Sequence, residues 1–190
     1  MSNHAAIPST PLHVTINGTL QPVEDVPDEL MMLDYLHEYR GLTGTRFGCG
    51  IGLCRACTVI VDHADGTSQE IRTCITGAHY FDGRAIRTVE GHAERDADGD
   101  VARLSEVQSQ FLTHFAFQCS YCAPGFVNAA TVLIERLQRN PVPRDALETT
   151  ISHALEDHLC RCTGYVRYYR AVRDAVLATP GTLVDNENSQ

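Results

Sequence analysis

Arg46-Phe-Gly-Cys49-Gly-Ile-Gly-Leu-Cys54-Arg-Ala-Cys57, closed after a 16-residue gap by Arg72-Thr-Cys74, is the stretch from which the first half of the chain can be read. Its spacing, C-x4-C-x2-C with a distant fourth cysteine, is the plant-type pattern for a 2Fe-2S cluster. Such a cluster needs a tight loop that brings four thiolates together and aims backbone N–H groups at the sulfurs, because those bonds stabilise the added electron. Gly48, Gly50 and Gly52 supply the permissive backbone that so close an approach demands, and they count with the ligands as cofactor-binding positions.

A second group follows, as Gln118-Cys119-Ser-Tyr-Cys122-Ala-Pro-Gly125 and Leu159-Cys160-Arg-Cys162-Thr-Gly-Tyr165. A C-x2-C pair and a C-x-C pair, 37 residues apart, fit two ligand-bearing turns brought together by folding. Spacing alone leaves the metal or cluster there undetermined. Structural zinc also uses paired thiolates, but C-x4-C-x2-C is not a zinc-ribbon spacing and a C-x-C pair on one zinc is strained. A thioredoxin-like dithiol uses two cysteines of each group and leaves four idle. A disulfide framework lacks the oxidising compartment that it requires.

The bulk properties narrow the classes. The chain has 190 residues, 43% of them hydrophobic, eight cysteines, a net charge of -9 and a pI near 5.4. That composition suits one large or two small globular domains and offers no broad basic surface for nucleic acid. No apolar run approaches the roughly 20 residues of a membrane span. Met1 to Pro11 has neither a basic head nor an apolar signal segment, so the reading is cytoplasmic, with a periplasmic site open to a subunit exported bound to a signal-bearing partner. The nine histidines share no metal-ligand spacing, and no Ser-His-Asp grouping or phosphate-binding loop is evident.

Periodicity places the motifs. Leu12, Val14 and Ile16 alternate with polar residues before Asn17-Gly18, which predicts a hairpin into Thr19–Val23. A helix is predicted after Pro27-Asp28, with strands at 58–61, 68–71 and 85–89. Residues 93–100 read as a polar linker. Beyond them come four helical stripes: Leu104, Val107, Phe111, Leu112 and Phe115; Val127 to Leu137; Leu147 to Leu159; and Tyr169 to Leu177. They predict a four-helix bundle with both cysteine pairs at helix ends, the N–H groups of a helix starting near Pro124 facing an anionic cluster.

The motifs Gly48–Val59, Gln118–Phe126 and Cys160–Tyr165, supported by Leu42-Thr-Gly44 and Thr88-Val-Glu-Gly91, resemble the small iron-sulfur subunit of the molybdenum hydroxylases, the xanthine oxidase family. The resemblance covers about residues 11 to 178. It implies an α+β chain: a plant-ferredoxin-like β-grasp domain over 11–90, a helical 2Fe-2S domain over 91–178 and a flexible tail over 179–190. It implies two 2Fe-2S clusters, on Cys49, Cys54, Cys57 and Cys74 and on Cys119, Cys122, Cys160 and Cys162. It further implies a large subunit carrying a molybdenum-pterin cofactor, which Gln118 and Cys162 would touch, and a flavin or cytochrome acceptor. Substrate chemistry would lie on the partner, with no catalytic residue here.

Departures from the family pattern are Ile51, Leu53 and Arg55, where smaller or more polar residues are usual, and Ser120 in place of glycine. Arg55 puts positive charge beside the first cluster, which would raise its potential, or stands exposed at a partner contact. Ile51 and Leu53 would form an apolar rim toward the acceptor. A stand-alone ferredoxin-like carrier and a zinc-stapled interaction module are the other functional readings, separable by gel filtration and by metal analysis.

Overall fold

The computed structural model describes residues 7–184. Strand β1 (Ser9–Leu12) leads into β2 (Val14–Ile16), and Asn17 and Gly18, both at positive φ, turn the chain into β3 (Thr19–Leu20). The predicted hairpin is present, but its second arm ends at Leu20, and β4 (Glu24–Pro27) pairs with β1 instead. β5 (Thr58–Asp62), β6 (Ser68–Arg72) and β7 (Arg84–Arg87) complete a five-stranded sheet in the order β3-β2-β7-β5-β6. The β2–β7 pairing is parallel and the others are antiparallel.

Val14, Ile16, Val59, Val61 and Ile86 bury one face of that sheet against Met32, Tyr35 and Leu36. These last three lie on α1, a turn of α-helix (Met32–Asp34) that widens into a π-turn (Tyr35–Tyr39). The phenol of Tyr35 is fully buried and takes two N–H bonds from Arg40, at 2.8 and 2.6 Å, while Arg40 also pairs with Glu24. The wide turn thus carries a satisfied polar group into the core.

The stretch expected to be a linker is more ordered than its composition suggested. Asp96 accepts the N–H groups of Asp98 and Asp100 and closes a small hairpin between β8 (Glu94–Arg95) and β9 (Val101–Arg103). Four helices follow: α2 (Glu106–Thr113), α3 (Ala123–Arg139), α4 (Leu147–Leu155) and α5 (Val166–Ala178). Ser105 and Gln108 form a reciprocal capping box at the start of α2. The core joins Val107 and Phe111 to Phe126, Leu133, Ile151 and Tyr168, with the Phe126 and Tyr168 rings stacked at 4.1 Å.

Three details of the predicted stripes are corrected. Leu112 and Phe115 are exposed: Leu112 lies on the outward side of α2, and Phe115 sits past the helix end at φ 47°. Leu159 lies beyond the end of α4 and is exposed. On α5 the buried tyrosine is Tyr168, not Tyr169. Part of the predicted tail is also tied down: β11 (Leu183–Val184) pairs in parallel with β10 (Val142–Pro143), and Thr182 is buried. The rest of that tail, 185–190, lies outside the described residues.

Helix α3 crosses β5 and β6 and joins the two halves. Arg87 on β7 grips Asp62 and Glu135 together, and Asn128 is buried at the junction. The Asn128 amide donates to the Thr58 carbonyl (2.7 Å), and its oxygen faces His92 Nε2 (2.6 Å). Burial lowers the pKa of His92, and because an amide oxygen can only accept, Nε2–H is the donor. Asn128→Ala strands two partners inside the interface and is expected to cost about 2–4 kcal/mol. Urea titration measures it.

Candidate metal centres

The loop from Arg46 to Cys57 has no regular structure and is held at its ends by β5 and by the Arg46 N–H bond to the Ala56 carbonyl (3.2 Å). Gly50 and Gly52 adopt φ of 67° and 72°, and a Cβ on Gly48 would stand 2.7 Å from Cys54 Sγ. A side chain at any of the three positions would therefore be strained or crowded. Backbone N–H groups of Cys54, Ile51 and Leu53 converge on Cys49 Sγ and draw its pKa down to about 6. Cys57 is buried, which pushes its thiol up to about 11, and it meets the Cys74 thiol.

In the second group Cys122 caps the N-terminus of α3 and Cys160 lies in the helical core. Burial raises the Cys122 pKa to about 12. Burial opposes ionisation of Cys160 too, but the Thr163 hydroxyl (3.1 Å) and the N–H groups of Thr163 and Cys162 outweigh it and lower that pKa. Cys119 and Cys162 are exposed, their sulfurs 3.6 Å apart. All four thiols line one cavity of about 200 Å³, and Cys54 and Gly48 of the first group form part of its wall. The Leu159 N–H bonds to the Cys54 carbonyl (3.2 Å), so the two sites share a backbone contact.

The eight thiols stand in four pairs: Cys49 with Cys54, Cys57 with Cys74, Cys119 with Cys162, and Cys122 with Cys160. Among the described residues no three His, Cys, Asp or Glu side chains converge as a single ion would need. A 2Fe-2S cluster, with four cysteines for two irons, calls for two thiolates at each iron. The residues fit that group at both places.

Arg55 departs from one of the two sequence-based expectations, that of an exposed partner contact. Its guanidinium is three-quarters covered, pairs with Asp157, and lies 3.8 Å from Glu70, which also binds His158 (3.1 Å). It is an internal tie between the halves and not an exposed partner contact. Its backbone sits at φ 58° and that of Ser120 at 63°, where glycine is less strained. Arg55→Gly trades relief of about 1 kcal/mol of strain against a pair whose Asp157 end is largely exposed and worth about as much. Stability by chemical denaturation is expected to change by no more than about 1 kcal/mol.

Gln118 is exposed next to Cys119. Ile51 and Leu53 are exposed, as expected, with Phe47 and Ile75 beside them: added Cβ atoms on Gly50 and Gly52 would touch those two side chains. Two tyrosines that spacing did not mark also serve the second group. Tyr165 O–H accepts the Cys160 N–H (3.1 Å), and Tyr168 O–H lies 3.3 Å from Cys122 Sγ. The signal for Tyr168 was present, since it stands one helical repeat before buried Val172 and Val176.

The family profile described as the 2Fe-2S iron-sulfur cluster binding domain matches residues 14–80, and that of the 2Fe-2S binding domain matches 88–173. The chain is 37% identical to the nicotine 6-hydroxylase small subunit of Paenarthrobacter nicotinovorans over 177 residues, which cover 93% of each protein. It is 38% identical to the nicotinate dehydrogenase small FeS subunit of Eubacterium barkeri, over 87% of this chain and 94% of that one. The chain belongs to the small 2Fe-2S subunits of the molybdenum hydroxylase family. In the solved quinoline 2-oxidoreductase of Pseudomonas putida 86, one chain superposes with a TM-score of 0.73 at 34% identity, over 88% of this chain and 93% of that one. As a small 2Fe-2S subunit, the chain carries two 2Fe-2S clusters and transfers electrons within a multi-subunit oxidoreductase whose substrate chemistry takes place on a partner.

Proposed function

We propose that Cys49, Cys54, Cys57 and Cys74 hold one cluster and Cys119, Cys122, Cys160 and Cys162 the other. The observation that carries this reading is the four-pair arrangement of the thiols around two adjoining sites. When bound, the clusters supply one-electron chemistry, linking a molybdenum-pterin site on the large subunit to a flavin, cytochrome or other acceptor. The protein's own part is to hold the thiolates, aim N–H groups at them and exclude water from the inner pairs.

Gln118 and Cys162 are both exposed at the second site, which suits contact with the partner's pterin. Phe47, Ile51, Leu53 and Ile75 give the first site an apolar rim suited to the acceptor. Residues 11–90 then form the β-grasp domain, and 91–178 the helical domain as a four-helix bundle. Among the described residues no helix is long and apolar enough to cross a membrane. The reading places the enzyme in the cytoplasm, or in the periplasm if a partner carries an export signal.

Reduced holoenzyme is expected to give two distinguishable 2Fe-2S paramagnetic signals. A colourless chain containing zinc and no labile sulfide would overturn the assignment. Tyr168→Phe removes one hydrogen bond to the Cys122 sulfur and leaves the stacked ring in place. It is expected to lower the potential of the second cluster by about 20–60 mV, the worth of one hydrogen bond in a one-electron couple, with iron content unchanged. Redox titration followed by paramagnetic resonance reads the shift.

A further inference from the structure

A groove of about 360 Å³ opens between α2 and the start of α3, and none of the eight thiols lines it. Val89, Leu104, Phe111, Phe117 and Val127 line it, and the charged group in its wall is Arg46. Arg46 is half-buried, and its guanidinium lies 6.0 Å from the centre of the Tyr121 ring. Among the described residues no carboxylate forms an ion pair with it; Glu90, beside Gly44 at the groove's edge, takes the Gly44 N–H on Oε1 (2.6 Å), and its buried Oε2 has no partner and does not reach the guanidinium. A half-buried guanidinium in an apolar wall, with an aromatic ring beside it but no counter-charge, is an incomplete arrangement, because it has given up part of its water and gained no anion.

The rim supports the same conclusion. Leu112 lines the groove and is half exposed, and Phe115, three residues on, is 68% exposed. Phe115 also holds a left-handed backbone (φ 47°) at the end of α2, with the Ala116 N–H returned to the Phe111 carbonyl (2.9 Å). Glycine is the usual residue at such a helix end, so an exposed phenylalanine there is costly to the isolated chain. Phe117 and Ser120, both in the groove wall, bracket Gln118 and Cys119. The groove is therefore continuous with the surface proposed above to face the molybdenum subunit.

We infer that this groove receives an apolar segment of the large molybdenum-binding subunit bearing an aspartate or glutamate that pairs with Arg46. The inference rests on the reading that Gln118 and Cys162 face that subunit. Leu112 and Phe115 grip the apolar flank of the segment, and its carboxylate supplies the missing counter-charge. Specificity follows from the pairing, since a segment without the acid would leave the guanidinium buried and unpaired.

The test uses the co-expressed holoenzyme. Arg46→Met and Arg46→Glu are expected to weaken retention of the large subunit by about tenfold to a hundredfold, while Arg46→Lys retains most of it. Iron per small subunit, measured on the same samples, shows whether the clusters survive. A photo-reactive residue at position 112, and another at 118, then map the neighbours in the intact complex. The inference expects the position-112 probe to capture a large-subunit peptide with a carboxylate among apolar residues. Capture from 118 but not from 112, or a 112 peptide lacking any acid, overturns the groove and leaves the facing surface standing. Capture of the large subunit from neither position overturns the reading on which it rests. Should the Arg46 variants lose iron, the position-112 peptide alone decides.

Discussion

Gly125→Ala is expected to destabilise the chain by about 3 kcal/mol and to release iron, although the same change in an ordinary helix would stabilise it by about 1 kcal/mol. Gly125 lies in the first turn of α3, where that helix presses on the cysteine loop of the other half. A Cβ there would stand 2.3 Å from the Arg55 carbonyl oxygen, 3.2 Å from its carbon and 3.4 Å from Ala56 Cα. All three are backbone atoms, so no rotamer change relieves the clash. The loop cannot retreat easily, because the Arg55 carbonyl also takes the Thr58 hydroxyl (2.8 Å) and N–H (3.2 Å). The helix is fixed in turn by Asn128 and by the Arg87–Glu135 pair. Relief must therefore come from separating the halves at the point where Cys122 and Cys54 approach one another. Thermal melting with iron assay checks it, and a variant that melts higher with full iron would sink the close-packing argument.

The reach of the sequence differed between the two halves for a physical reason. C-x4-C-x2-C is a local motif, and its loop closes around its own glycines, so the tight backbone at Gly48, Gly50 and Gly52 could be expected before any fold was known. The alternation of Val14 and Ile16 and the turn at Asn17-Gly18 were equally local, and the hairpin is there. In the second group spacing gave the two turns but not the pairing across them, Cys119 with Cys162 and Cys122 with Cys160, nor the tyrosines that support it: Tyr165 takes the Cys160 N–H and Tyr168 meets the Cys122 sulfur only once α5 packs on α3. Leu112 and Phe115 were placed in one apolar stripe because their spacing is helical, yet Leu112 faces outward on α2 and Phe115 lies past its end. Arg55's partners were the least legible. Asp157 and Glu70 lie 102 positions downstream and on the adjacent strand, and nothing in a local window couples them.

The same contrast between inner and outer positions makes removal of single ligands informative. Alanine cannot ligate iron, so Cys57→Ala or Cys74→Ala is expected to abolish the first cluster's paramagnetic signal, halve the iron and labile sulfide, and leave the second signal in place. Cys122→Ala, Cys160→Ala, Cys119→Ala and Cys162→Ala are expected to do the converse. Thiol pairing adds a finer expectation. Any residual spectrum should match between Cys119→Ala and Cys162→Ala, and differ from that of the inner pair, because each pair serves one iron. Stability should separate the pairs as well. Cys160 belongs to the helical core and Cys122 packs against it beside Tyr168, so alanine there leaves a void and is expected to cost about 1 kcal/mol more than at exposed Cys119 or Cys162. Iron, sulfide and denaturant titration on the six variants test both claims together. Loss of both signals from Cys57→Ala would mean that the first cluster is needed to build the second site, and full iron in Cys122→Ala would remove that cysteine from the ligand set.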